Sequence, residues 1–64
     1  MSEIVILKVE NGNAVGYAAN GRLVRTITSN AVSAVINGDI ISVTKTNGRV
    51  EMYDANRFNL IRTI

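Results

Sequence analysis

Arg25, Arg62, Tyr17 and Tyr53 are the side chains in this sequence best suited to recognising a ligand. A planar guanidinium presents a fork of donors that matches phosphate or carboxylate. A tyrosine ring stacks on a base or sugar while its hydroxyl hydrogen-bonds. The sequence contains no His and no Cys. That removes the ordinary catalytic triad, the thiol nucleophile and the transition-metal cluster. Paired carboxylates could still act as acid and base, but Glu3, Glu10, Asp39, Glu51 and Asp54 fall into no motif. We therefore expect no enzymatic activity, no cofactor and no metal. Arg22, Arg49 and Arg57 lie beside turn signals, where basic residues either touch phosphate or stand in solvent.

Each ligand candidate also has a plainer role. A tyrosine recurring at equivalent strand positions belongs to a core, with its hydroxyl at the edge. An arginine among apolar neighbours must reach solvent or find a partner, and a subunit contact can supply one. The Gly-rich run "GNAVGYAANG" has no Lys-Ser/Thr ending and opens no helix, so its glycines serve turns and packing rather than a phosphate loop.

The elements that must position these residues are marked by Asn-Gly at 11–12, 20–21, 37–38 and 47–48. Asn-Gly between alternating segments is the strongest short hairpin signal, because a type I′ turn needs positive φ at both central residues. With no Pro in the chain, nothing interrupts the ladders. The turns predict strands near 3–10, 13–19, 22–28, 31–36, 39–46, 49–55 and 59–64. Ser29 could cap a short helix over 29–37 with Gly38 ending it, but β-branched Val32, Val35 and Ile36 favour a strand.

The strands repeat. "YAANGRLVRTI" at 17–27 returns as "YDANRFNLIRTI" at 53–64, with one extra residue in the second copy. Between 3–27 and 39–64 the identities include Ile4/Ile40, Asn11/Asn47, Gly12/Gly48, Tyr17/Tyr53, Asn20/Asn56, Leu23/Leu60, Arg25/Arg62 and Ile27/Ile64. A single domain over 1–64 thus holds two tandem three-stranded meanders joined by 28–38.

The stretch "NGDIISVTKTNGRVEMYDANRFNLIRTI" resembles a β-propeller blade, with its Gly-Asp turn, "V-x-x-YDAN" strand and "LIRTI" strand. The resemblance implies that 31–64 form one four-stranded blade with "AVSAVI" innermost, and that 3–27 form a blade lacking its first strand. Two blades cannot close a ring. It follows that identical chains complete a propeller, or that the meanders pack into a small barrel or sandwich.

Pairing through two-residue Asn-Gly turns sorts the side chains by face. In the first copy Val5, Leu7, Val9, Ala14, Ala18, Leu23, Arg25 and Ile27 share one face, and Ile4, Ile6, Val15, Tyr17 and Val24 the other. In the second copy Ile41, Val43, Val50, Met52, Leu60 and Ile64 oppose Ile40, Tyr53 and Ile61. Asp54 then lies diagonally near Arg62 as an ion-pair partner, whereas Arg25 has Ala18 at that place, and Gly16 beside it leaves room for an anion.

Both faces being apolar, both need covering. A domain of about 60 residues buries only around 60% of its unfolded surface, and without disulfide or metal the remaining remedy is oligomerisation. We expect a homo-oligomer, a trimer giving six blades or else a dimer. Seven Lys and Arg against five Asp and Glu give a net charge of +2, dispersed rather than striped, which permits weak nucleic-acid binding without demanding it. The lack of Cys and of a signal-like or membrane-spanning run points to the cytoplasm. The expected function is non-enzymatic capture of a small anionic or sugar-like ligand at subunit seams. The alternative is a structural or protein-interaction module, or a small β-barrel binding nucleic acid weakly.

Overall fold

A computed structural model describes residues 4–64; Glu3 and the first two residues lie outside the described part. The described residues are all-β, with seven strands: β1 (Ile6–Glu10), β2 (Asn13–Tyr17), β3 (Leu23–Thr28), β4 (Ala31–Asn37), β5 (Ile40–Lys45), β6 (Val50–Asp54) and β7 (Leu60–Thr63). They form two antiparallel sheets, β1-β2-β3 and β4-β5-β6-β7. The segment 31–37 is a strand, as its β-branched residues predict.

Turn chemistry sets the registers. Asn11 and Gly12 both have positive φ, at 52° and 79°, so this Asn-Gly is the expected two-residue turn and sets Leu7 opposite Gly16. The other Asn-Gly pairs behave differently. At Asn37-Gly38 the two loop residues are Gly38 and Asp39, with Asn37 still paired to Ile40. At Asn47-Gly48 only the glycine has positive φ. There Lys45 donates its N–H to Arg49 O at 2.7 Å, Gly48 N–H returns to Lys45 O at 3.0 Å, and Asn47 Oδ1 accepts the Arg49 N–H at 3.0 Å. The loop is thus three residues long, of the kind that ends in a left-handed glycine.

The same geometry recurs at Asn20-Gly21, where Ala18 N–H reaches Arg22 O and Asn20 Oδ1 accepts the Arg22 N–H. In the second copy the extra residue lengthens this turn. Phe58 takes the left-handed place of Gly21, at φ 62°, and donates its N–H to Asp54 O at 2.7 Å.

The longer loop at 46–48 corrects the expected faces. It pairs Ile41 with Tyr53 and Val43 with Glu51, one residue away from a two-residue turn. Because side chains alternate with period two, this single step turns every β6 side chain over. Tyr53 therefore shares a face with Ile41 and Val43, while Val50 and Met52 join Ile40 on the other.

The first copy also departs from strict alternation. Ile4, not Val5, turns inward: Ile4 is fully buried and Val5 half exposed. Gly16 leaves room for Ile4 rather than for an anion beside Arg25. A Cβ built on Gly16 would overlap the Ile4 side chain, with its two Cγ atoms at 3.0 and 3.1 Å.

The sheets meet through one face each. Ile4, Ala14, Ala31, Ile41, Val43 and Ala55 form the buried core, with Leu7, Val9, Val24, Ile27, Ala34, Ile36, Tyr53 and Phe58 packed around it. Burying a side chain such as Ile4, Ile41 or Val43 contributes about 1.5–3 kcal/mol each. A backbone bond joins the sheets at their edges, Ala31 N–H to Gly12 O at 2.7 Å, while Thr46 N–H to Asn30 O at 2.9 Å extends the β4–β5 ladder.

Candidate functional site

The second copy carries a polar cluster where the sheets meet. Glu51 and Tyr53 stand two apart on β6 and so point the same way. The Tyr53 hydroxyl donates to Glu51 Oε1 at 2.6 Å, and Lys45 Nζ lies 3.6 Å from the same oxygen. From the other sheet Thr28 Oγ1 accepts from Lys45 Nζ at 2.8 Å, and Ser29 O accepts from it as well. The Lys45 and Glu51 side chains are only 13% and 23% exposed. Lys45 spends its donors tying β3 to β5 and β6. Burial, and then the bond to Glu51, push the Tyr53 hydroxyl above its usual range, with Thr28 pulling the other way.

The first copy holds the same types of group on an open face. Tyr17 donates to Glu10, Lys8 Nζ lies 3.7 Å from that carboxylate, and Lys8 stands 6.0 Å from the Tyr17 ring centre. The hydroxyl bond to Glu10 is the main cause holding the Tyr17 phenol above its usual range. To reach Glu10, which is paired with Asn13, the ring must lie along β2 over Val15, and Val15 is buried. Both phenols stay protonated at neutral pH and act as donors to carboxylates.

The arginines sit elsewhere. Arg25, opposite Gly16 on the core-facing side of β3, stacks on the ring of Phe58 with its Cζ 4.5 Å from the centroid. Arg62 is exposed opposite Met52, on the outer side of the second sheet. The expected Asp54–Arg62 ion pair does not form. Asp54 Oδ1 instead accepts the N–H groups of Asn56 at 2.7 Å and Arg57 at 3.0 Å, closing the 54–59 turn. Those bonds, Arg57's first, hold the Asp54 carboxyl below its usual range.

Within each copy, then, the tyrosine and the arginine occupy opposite faces, and no single pocket gathers all of Tyr17, Tyr53, Arg25 and Arg62. An open depression of about 420 Å³ lies instead at the first-copy turn, lined by Ala18, Ala19, Asn20, Arg22 and Val24. Sequence reading missed Lys45, Thr28 and Phe58. The Glu51/Tyr53 spacing on one strand was a legible signal for half of the polar cluster. Lys45 joins it only because of the three-residue loop.

The fold defines an all-β protein of two stacked antiparallel sheets. The chain belongs to the IceA2 family: the family model described as Helicobacter pylori IceA2 protein matches residues 3–63. No curated protein matches it. Among the described residues no helix is long and apolar enough to cross a membrane.

Proposed function

We propose that this chain is a non-enzymatic β-repeat protein that works by association, its copies completing a closed, propeller-like β assembly that serves as an interaction module in the cytoplasm. One observation carries the reading. Val5, Ile6, Leu23, Val32, Val35, Leu60, Ile61 and Ile64 all remain 45% or more exposed, while the large side chains buried completely are Ile4, Ile41 and Val43. Eight large apolar side chains left this exposed in so small a chain support association. A trimer would bring six sheets together, and a dimer is the smaller solution. In sedimentation equilibrium the parent chain is expected above monomer mass, with a melting temperature that rises with concentration. A concentration-independent monomer overturns the reading.

The depression beside Arg22 favours a second reading, capture of a small anionic or sugar-like ligand at the seams between copies. Native mass spectrometry of the purified protein separates the two. A small molecule retained at fixed stoichiometry supports capture, whereas salt-sensitive retention of nucleic acid points to the exposed turn residues Arg22, Arg49 and Arg57.

A further inference from the structure

The two sheets are built alike beyond their sequence identities. Ile6 pairs with Tyr17 as Ile41 pairs with Tyr53; Val15 with Thr26 as Glu51 with Thr63; Gly16 with Arg25 as Met52 with Arg62; Tyr17 with Leu23 as Tyr53 with Leu60. One register shift falls at the same place in both, between Gly16 and Tyr17 and between Met52 and Tyr53, and the first sheet has another between Ala14 and Val15. Each sheet therefore has an equivalent front, bearing Ile6, Val15 and Tyr17 or Ile41, Glu51 and Tyr53. Each also has an equivalent back, bearing Ala14, Gly16 and Arg25 or Val50, Met52 and Arg62.

Inside the chain the back of the first sheet is pressed on the front of the second. Ala14 and the Ile4 that covers Gly16 lie in one core with Ile41 and Val43, and Arg25 reaches Phe58. The interface is front to back and not two-fold symmetric. It leaves one front and one back uncovered, each sharing its main positions with a face already paired, except that Lys8 stands where the covered front has Val43 and Met52 where the covered back has Gly16.

Exposure follows that rule at four pairs of positions, while Leu60 on the covered front stays 50% exposed and Val15 on the open front is buried. Val24 and Ile27 pack against the core, and their equivalents Ile61 and Ile64 are 49% and 65% exposed. Ile41 and Ala55 are buried on the covered front, and their counterparts Ile6 and Ala19 are exposed on the open one. Where Arg25 meets Phe58, the equivalent Arg62 would arrive at the 19–21 turn, which has no Phe and borders the open depression.

We infer that the open front of one copy docks on the open back of the next, so that copies join head to tail and repeat the contact already made within the chain. Such a heterologous contact makes a ring when its rotation closes and a filament when it does not. The inference rests on the association reading but is separable from it.

Ile6→Asp spoils only the front and Ile64→Asp only the back, and both sites are exposed enough for the chain to keep its fold, checked by circular dichroism. At concentrations where the parent is oligomeric, sedimentation should find each variant alone as a monomer. Their equimolar mixture should give a one-to-one heterodimer, joined through the intact back of the first and the intact front of the second. A second measurement does not depend on these variants. With no native Cys, Ala19→Cys and Arg62→Cys should yield a bis-maleimide dimer when mixed and none when either is treated alone. If Ile64→Asp alone still assembles, or either Cys variant links to itself, the faces pair with their own kind and the head-to-tail contact is overturned while association stands. A mixture that gives neither heterodimer nor mixed cross-link also overturns it. A monomeric parent overturns both.

Discussion

The side chain of Ile4 fills the place that a side chain on Gly16 would take, while the residue equivalent to Gly16 in the second sheet is Met52. The glycine is thus a packing choice for the covered back, and the methionine stands where that back is bare. Gly16→Ala should destabilise by about 1–3 kcal/mol, the usual cost of overfilling a core. Ile4→Ala should cost about 2–5 kcal/mol alone. Because the two residues share one space, the double variant should cost less than the sum. Urea unfolding of the four proteins checks the coupling; strict additivity would mean the two do not touch.

Arg25 and Phe58 join the sheets by a cation–π stack, worth about 0.5–1 kcal/mol at an exposed site. Arg25→Ala should lose about that much stability in the parent and little in a Phe58→Ala background. Phe58→Gly should be milder than Phe58→Ala, because the left-handed φ of 62° costs a non-glycine residue about 1–2 kcal/mol. Arg62→Ala should leave the melt of the unassociated chain unchanged, since Asp54 is engaged by its own turn.

Asp54 should make the chain acid-sensitive over a defined window. Its folded pKa is depressed by the backbone N–H groups of Arg57 and Asn56. Its contribution is therefore fully present above the unfolded value near 3.8 and is lost as pH falls through the lower folded value. Asp54→Asn keeps an oxygen acceptor without titrating. Thermal melts from neutral pH into acid should show a shallower decline for Asp54→Asn than for the parent.

At the alkaline end the sign reverses. Tyr53 and Tyr17 have raised folded values, so their contribution holds below the usual 10.0 and is lost as pH rises through the folded values. Tyr53→Phe removes one of the two titrations. Phenolate absorbance followed with the melt should show that alkaline destabilisation is weaker in this variant.

Ile64 exchanges both backbone bonds with Val50, at 2.8 and 3.0 Å, although its side chain is largely exposed. Removing residues 61–64 should strip these bonds and most of β7, baring β6 as an apolar edge. The expected outcome is loss of the cooperative melt or aggregation, whereas Ile64→Ala should leave the melt of the unassociated chain within a few degrees of the parent.

Local chemistry placed most of the elements. β-Branched runs between Asn-Gly pairs gave seven strands, and the Asn11-Gly12 turn set Leu7 on Gly16 because both residues accept positive φ. The recurrence of "LVRTI" as "LIRTI" revealed two equivalent sheets. At Asn47-Gly48 the same dipeptide closes a three-residue loop, distinguished from the first by the φ of a single asparagine. Nothing in the alternation of β5 and β6 opposes either register, since both faces carry apolar residues, and so a two-residue turn puts Tyr53 on the wrong side. Only packing decides that choice: Ile41 and Val43 must meet Ile4 and Ala14, and Glu51 must reach a Lys45 already held by Thr28. Front-to-back stacking is likewise a tertiary outcome. It depends on which of two apolar faces finds a partner, and sequence period alone treats those faces as equal.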